Sequence, residues 1–460
     1  MLRRAAASVV GGGCGMTLQR IPPPSMEAML YHAQMEGVLP LTSQCNMGCI
    51  FCSNAYNPET CEVFSIPPRP LSDIEATILW LTGSRGPIVI GESITRINEG
   101  EPLTHPEFAA ILELLREHYP DRIIRVTTNA SLLTHDLIKR LSDLDVELMV
   151  SLNTVGHRER IMGDKEPEKT LRNVEALGGK VRFEGSIVAL PFLTGWEDVR
   201  DTAKFLKDSG AWSIRMMAPG FSRYHPLSKY AAEFKLDEAR EVARDLQKTL
   251  KIPVLFEPPG ITTITPEVEY VLPRSPARRA GLRPGDVITH VLRRPVMTRK
   301  EAFERIRDHA KPQVVYNREG GIYETVINKH RFQPSGLVMY DDLDTEAWFE
   351  WELKSRVKRR RVLVLTSELA KPIIEHALEV RNLETRVEAV PSLFFGGNIG
   401  AAGLLTVRDF LAKYEQIGGS GYEPDVVTLP KRAFDPWGRD LEGISYRSFE
   451  QTSGKPVVLA

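Results

Sequence analysis

The segment SQCNMGCIFCSN, residues 43–54, holds three of the chain's five cysteines, Cys45, Cys49 and Cys52, in a C-x3-C-x2-C spacing. A thiolate is a soft metal ligand, and three on one short loop point to a metal centre rather than to core packing. A structural zinc site needs four ligands, normally as two pairs on separate turns. Here the fourth would be Cys61 or a histidine, and no second C-x2-C occurs. A cluster held by four protein thiolates also falls one short locally. Three thiolates leave one iron of a four-iron cluster unligated, which suits a cluster that binds a substrate at its open corner. Zinc and a simple redox grouping stay open as readings of the spacing itself. Cys61 reads as a buried apolar thiol, with a radical-relay group as its alternative.

The rest of the chain must position that loop. At 460 residues the chain exceeds one ordinary core, and two to four domains are expected. Its 42% hydrophobic and 26% charged residues are those of a soluble globular protein. No apolar run approaches roughly 18 residues, so no membrane span is expected. The formal charge of -1 offers no pull on nucleic acid or acidic lipid. The one basic run, KSRVKRRR at 354–361, reads as a solvated helix face or linker. So few cysteines fit a reducing compartment, and a cytoplasmic location is expected. The N-terminal MLRRAAASVVGGGCGM, with Cys14, reads as part of a disordered extension over residues 1–27, with a transit peptide as the alternative.

From Pro70 to Phe256 helical and strand-like segments alternate. LSDIEATILWL opens with Ser72 as an expected N-cap and Glu75 completing a capping box. An apolar strand at 88–90 and an extended ITRI at 94–97 precede a helix at 105–118 and a strand at 123–128. A further helix, LTHDLIKRLSDL, leads to a strand at 146–152. About six βα units predict a parallel sheet, open or closed into a partial barrel. The rhythm stops at EPPG, 257–260, where short strands and turns surround one helix at 298–310. In SPARRAGLRPGDVI, Gly281 ends a short helix and Gly285 with Asp286 makes a tight turn. Residues 331–361 read as a charged connector, and from RVLVLT onward mixed α/β character returns over 362–460.

The loop, with Phe51 before its last cysteine, resembles the signature loop of radical S-adenosylmethionine enzymes, and the resemblance runs over about residues 38–250. It implies an α/β fold, a partial (β/α)6 barrel over 28–256 whose first strand precedes the loop. It implies a [4Fe-4S] cluster on Cys45, Cys49 and Cys52, with S-adenosylmethionine bound beside it. EGEPLTHPE resembles the family's Gly-Gly-Glu-Pro motif, with Glu99 replacing the first glycine and Gly100, Glu101 and Pro102 matching. TTNASLLT resembles the third-strand motif, which carries over Thr127 and Asn129, and VSLNT resembles the fourth, which carries over Ser151. With Phe51, these are the expected cofactor-binding residues; no catalytic residue is assigned. HRERIMGDKEPEKTLRNVEAL at 157–177 is similar to the molybdenum-cofactor biosynthesis protein A branch. The implied activity is reductive cleavage of S-adenosylmethionine to a 5′-deoxyadenosyl radical that abstracts hydrogen from a substrate. A flavodoxin or ferredoxin is the implied electron donor. The non-enzymatic alternative is an iron–sulfur scaffold protein.

SPARRAGLRPGDVITHV resembles a PDZ domain, expected over 257–330, with its carboxylate loop near PPGITTI at 258–264. Such a module implies a protein or peptide substrate added as a strand at a sheet edge, or else an internal packing role. VPSLFFGGNIGAAGLLTVRDF and YEPDVVTLPKRAF resemble a domain of unknown function at the end of bacterial and archaeal proteins that also hold radical and PDZ modules. The Gly-rich stretch reads as tight packing, with close approach to an anion or another chain as the alternative. Two substrate classes follow: a polypeptide delivered by the PDZ-like module, or a small metabolite enclosed by the C-terminal domain.

Overall fold

The computed structural model describes residues 18–460 apart from 84, 85, 94, 95 and 420. Expectations for residues 1–17, including Cys14 and most of the N-terminal extension, and for the first half of the 94–97 piece lie outside the described residues.

Six strands, β1 (Ile88–Ile90), β2 (Ile124–Thr128), β3 (Val146–Ser151), β4 (Phe183–Val188), β5 (Ile214–Met217) and β6 (Val254–Glu257), form one parallel sheet in chain order. An extended segment at 38–42 lies outside β1, where Val38 bridges Val89 in parallel and the Leu39 amide donates to the Val89 carbonyl at 2.9 Å. The cysteine loop therefore leaves this edge segment, on the side where the six strands end. Burial alternates along β1, β2, β5 and β6, so one face of the sheet packs into the apolar core and the other carries half-buried polar residues such as Arg125, Glu147 and Arg215. Leu39, Ile88, Val126, Leu148, Phe183, Met216 and Phe256 are buried in one core with Ile111, Leu115, Ile138, Val174, Leu206 and Ala243.

The helices are α1 (Met26–Met35), α2 (Leu71–Thr77), α3 (Phe108–His118), α4 (His135–Asp143), α5 (Arg158–Met162), α6 (Pro167–Glu175), α7 (Pro191–Asp208) and α8 (Leu236–Leu250). Helix α2 corrects the expected capping box: Pro70, not Ser72, precedes it, and no side chain caps it. The preset backbone of proline starts the helix before Ser72 is reached.

Next come β7 (Tyr270–Val271), α9 (Pro276–Arg279), β8 (Val287–Val291), β9 (Arg294–Pro295), α10 (Arg299–Asp308), β10 (Gln313–Arg318), β11 (Gly321–Val326) and β12 (Leu337–Val338). They make a sheet in the order β11-β10-β8-β9 and a pair β12-β7. The RPGD turn forms as expected: Gly285 has φ +85°, and buried Asp286 accepts the Arg283 amide at 2.8 Å and Arg318 Nε at 2.7 Å. The expected carboxylate loop is misplaced. Residues 258–264 form no strand, and the strand beside α10 is β12. Residues 332–342 follow α10 from its last turn, where the Phe332 amide meets the Arg307 carbonyl, to its first, where Asp342 accepts the Arg299 and Lys300 amides. The chain supplies this strand after α10 rather than before α9, so reading forward from 257 could not find it.

The last part holds α11 (Thr345–Ser355), β13 (Val362–Thr366), α12 (Lys371–Val380), β14 (Arg386–Ala389), α13 (Val407–Gly418), β15 (Val426–Leu429), α14 (Tyr446–Ser453) and β16 (Val457–Leu459). Its strands are parallel in the order β14-β13-β15-β16. The expected connector at 331–361 dissolves into its neighbours. Its first third completes the β12 segment, and α11 buries Trp348 and Trp351 against this last sheet, with Trp351 Nε1 donating to Thr428 Oγ1 at 2.8 Å.

The N-terminal and C-terminal parts are joined tightly. The Ile21 amide donates to the Gly443 carbonyl at 2.8 Å and Arg20 bridges Ile444, so residues 18–27, expected within a disordered extension, pack against the C-terminal part and lead into α1. The FFGGN stretch clasps the loop after β5. Asn398 Oδ1 accepts the Phe221 amide at 2.7 Å, Asn398 Nδ2 donates to the Pro219 carbonyl at 2.8 Å, and the Arg223 amide donates to the Phe395 carbonyl at 2.8 Å. Gly397 has φ +61°, and a Cβ there would run into the Phe221 carbonyl oxygen. The glycines thus serve backbone-on-backbone packing. Gly397→Ala is expected to cost about 1–3 kcal/mol and to lower the thermal midpoint by several degrees, measured by differential scanning calorimetry; an unchanged midpoint would show that the clasp is not made.

Candidate functional site

The cysteine loop is held by backbone contacts to α5 and by side chains from the end of β2. The Gly48 amide donates to the Met162 carbonyl at 2.9 Å and the Ile50 amide to the Ile161 carbonyl at 3.0 Å. Asn46 accepts from Asn129 Nδ2 at 2.9 Å and donates to Ser131 Oγ at 2.8 Å. Cys45 is exposed, Cys49 and Cys52 are half-buried, and all three are free thiols. Ile50, Phe51, Met162, Leu190, Phe192 and Phe221 surround them with apolar surface. Burial, and then the neighbouring Cys45 and Cys52, push the Cys49 thiol up to about 12, against the opposing pull of Arg158. Burial also raises Cys45.

Three thiolates in such surroundings need cations that the protein itself does not provide. Among the described residues no three His, Cys, Asp or Glu side chains converge as ligands of a single ion.

The expected cofactor residues lie around the loop. Phe51 packs half-buried within it. The Gly100 amide donates to the Thr42 carbonyl at 2.9 Å and the Glu101 amide to the Gln44 carbonyl at 2.8 Å, which lays residues 99–101 along the chain entering Cys45. A Cβ on Gly100 would run into Gln44, so only glycine fits. Glu101 is 3% exposed. Its carboxylate accepts from Thr128 Oγ1 at 2.6 Å, the Asn129 amide at 2.7 Å and the Leu103 amide at 3.3 Å. Burial pushes it up to about 7 despite those donors. Pro102 starts a single 3-10 turn behind it.

Asn129 joins the cysteine loop directly, as above. Thr127 Oγ1 donates to Glu92 Oε1 at 2.9 Å. Ser151 is the half-buried last residue of β3, opposite Ser186. The cysteines, Gly100, Glu101 and Asn129 thus form one bonded group, and Thr127 and Ser151 stand at the carboxyl ends of adjacent strands.

Three residues have structural roles that the motifs did not assign. Glu99 is buried, near Arg69; burial pushes its carboxyl up to about 8, with Arg69 opposing. Its side chain occupies the interior, which is why a glutamate can replace the motif's first glycine. Arg158 is fully buried and donates to Asp164 at 2.7 Å and to the Leu152 carbonyl at 2.7 Å, fixing α5 behind the loop. His225 lies edge-on to Tyr56, with ring centroids 4.7 Å apart, and its Nδ1 accepts the Leu227 amide at 3.0 Å, which leaves the proton on Nε2. The sequence marked Glu99 only as a replaced glycine and Arg158 only as part of the HRERIMGD segment, and it did not mark His225.

A cleft of about 770 Å3 opens where the chain continues beyond the loop, and neither the cysteines nor the expected cofactor residues line it. Residues 56–60, Arg223 and Tyr224 line its barrel side; Leu393, Phe394, Arg408, Asp409 and Glu442 line its C-terminal side.

Residues 39–206 match the radical SAM superfamily model and residues 267–315 match a PDZ domain model. Residues 39–206 therefore form a radical SAM domain, a family whose cofactors are a [4Fe-4S] cluster and S-adenosylmethionine, and residues 267–315 lie in a PDZ domain. No curated protein matches it. Among solved structures, Streptococcus suis SuiB bound to precursor peptide SuiA is 19% identical with a TM-score of 0.36, over 48% of this chain and 47% of that one. SuiB bound to S-adenosylmethionine is 17% identical with a TM-score of 0.37, over 50% and 54%. Native anSMEcpe with bound AdoMet is 18% identical with a TM-score of 0.36, over 48% and 62%. The chain spans about half the length of the SuiB chains it matches. Among the described residues no helix is long and apolar enough to cross a membrane.

The two raised carboxyls have a measurable consequence. The folded protein holds their protons above the ordinary glutamate value of 4.5, so their contribution is full below about 4.5 and is lost as pH rises through about 7 for Glu101 and about 8 for Glu99. Thermal midpoints are expected to fall by several degrees across that window, and Glu99→Gln is expected to flatten the upper part. A variant with the parent's slope would show that Glu99 is ionised in the fold.

Proposed function

We propose that the protein is an enzyme that binds a [4Fe-4S] cluster on Cys45, Cys49 and Cys52 and S-adenosylmethionine beside it, and acts on a substrate in the cleft beyond the cysteine loop. The observation that carries this reading is three free cysteines on one tied loop, at the carboxyl ends of a parallel βα sheet, within the radical SAM match. The bound cofactors supply reductive cleavage of S-adenosylmethionine and hydrogen abstraction from the substrate. The chain's own residues orient and enclose. Asn129 and the α5 backbone fix the loop. Gly100 lets the 99–101 segment lie close against the chain entering Cys45, and Phe51, Thr127 and Ser151 offer further cofactor contacts. Glu101 acts mainly as a staple for this group, its carboxylate taken up by Thr128, Leu103 and Asn129. Apolar residues around the loop restrict water. A flavodoxin or ferredoxin is the proposed electron donor.

The cleft favours a small substrate over a polypeptide, because its volume suits a small molecule, the C-terminal domain supplies one of its walls and no PDZ residue lines it. A second reading draws on β12: within its sheet it pairs only with β7 and runs beside α10, an arrangement suited to adding a partner peptide as a strand. On this reading the PDZ domain recruits a protein, and the cleft holds the reacting molecule.

The deciding experiment is anaerobic reconstitution with iron and sulfide, then dithionite and S-adenosylmethionine, with 5′-deoxyadenosine measured against the Cys45/Cys49/Cys52→Ala protein. Product in the parent and a loss of at least about a hundredfold in the variant are expected. A full cluster that neither binds nor cleaves S-adenosylmethionine would overturn the enzyme in favour of an iron–sulfur scaffold.

A further inference from the structure

The cleft beyond the cysteine loop is small, aromatic and unevenly charged, and these features together specify a ligand class. Its volume of about 770 Å3 falls in the range of roughly 300–1,000 Å3 used for small molecules. Tyr56 and Tyr224, both on the barrel side, are 50% and 51% exposed, and Leu393 on the opposite side is 52% exposed. Arg223 lies over the Tyr224 ring and His225 meets the Tyr56 ring, and the half of each side chain that stays exposed is open to a flat ligand.

The charges are mostly accounted for. The Asp409 carboxylate is taken up by the amides of Leu393, Phe394 and Thr406 at 2.8, 3.0 and 2.9 Å. Arg408 pairs with Glu442 at 3.2 Å, and Glu442 is otherwise approached by Thr60 at 3.5 Å. Arg223 is different. Its guanidinium lies over the Tyr224 ring at 5.0 Å and donates to the Tyr224 hydroxyl at 3.0 Å, with no carboxylate in ion-pair range among the described residues. Its stem packs against Gly396 and its amide belongs to the clasp, while the guanidinium itself is exposed. A guanidinium stacked on a ring keeps its donor edge free for a planar acid group. Glu59, exposed on the rim, is the remaining acidic residue.

Resting on the reading of the cleft as the substrate site, we infer that it binds a small aromatic or heteroaromatic acid. The acid group pairs with Arg223 and the ring lies against Tyr224 and Tyr56.

The test uses the full chain and a named probe, the aryl sulfonate 1-anilinonaphthalene-8-sulfonate, titrated by fluorescence and calorimetry. One site per chain is expected. Arg223→Gln and Tyr224→Leu are each expected to weaken it about tenfold or more, with Arg223→Lys in between. Arg359→Gln with Arg360→Gln, in the basic cleft at the opposite end of the C-terminal sheet, is expected to leave it unchanged. Melting curves verify that each variant folds, and if Arg223→Gln does not, the Lys variant carries the comparison. No binding, equal binding in the Arg223 and Tyr224 variants, or binding that follows Arg359 and Arg360 would overturn the inference. The titration needs no cluster, so the two readings fail separately. Probe binding by a protein whose full cluster neither binds nor cleaves S-adenosylmethionine defeats the enzyme reading, and 5′-deoxyadenosine formation without probe binding defeats the ligand class.

Discussion

The mouth of the barrel hangs on one buried carboxylate. Glu101 reaches three pieces of chain at once. Its amide holds the Gln44 carbonyl beside Cys45, and its side chain holds Thr128 and Asn129 at the end of β2 and the Leu103 amide in its own turn. Asn129 in turn holds Asn46 in the cysteine loop. A carboxylate with this many donors in a dry site is directional in a way that apolar packing is not. Cluster ligands must be placed to within fractions of an ångström, and a loop of small and flexible residues cannot place itself. Burial keeps the proton on this carboxyl far longer than in water, which measures how strongly the site resists an uncompensated charge.

The same logic recurs where the barrel meets the C-terminal domain, with arginine as the hub. Arg96 donates to the Arg439 and Asp440 carbonyls, both at 2.6 Å, and pairs with Asp435 at 3.2 Å. Arg439, fully buried, pairs with Glu62, just past Cys61. Asp440 accepts the amides of Val407, Glu442 and Ile444. These contacts specify one docking geometry, because sliding the domains would strand buried charges. With the FFGGN clasp they keep the C-terminal domain over the cysteine loop, on the face where the barrel strands end.

What could be read from the chain alone follows from range. The strands expected at 88–90 and 146–152 and the SPARRAGL helix end are local patterns, and the structure forms them at Ile88–Ile90, Val146–Ser151 and Pro276–Arg279. The partners of Glu101 and Arg96 are distant in sequence, and no period announces them. Glu99 shows a subtler failure. It looked like a damaged glycine motif, yet its side chain turns inward toward Arg69, and the backbone at Gly100 keeps its close approach. The acidic and basic residues of 341–361 likewise hid a helix whose two tryptophans, Trp348 and Trp351, share one buried face. Strand β12 was missed because the chain order of the PDZ domain is not its spatial order.

Two parallel sheets meet here with their carboxyl ends toward each other. In each, the loops that leave those ends are the ones free to vary, and ligands in open α/β sheets bind outside them. The loop after β5 and the loop after β14 are the two that clasp, and both send side chains into the cleft: Arg223 and Tyr224 from one, Leu393 and Phe394 from the other. The clasp that joins the domains is therefore continuous with the walls of the cleft. A change in either loop would move both, so the position of the C-terminal domain and the shape of the cleft cannot vary independently.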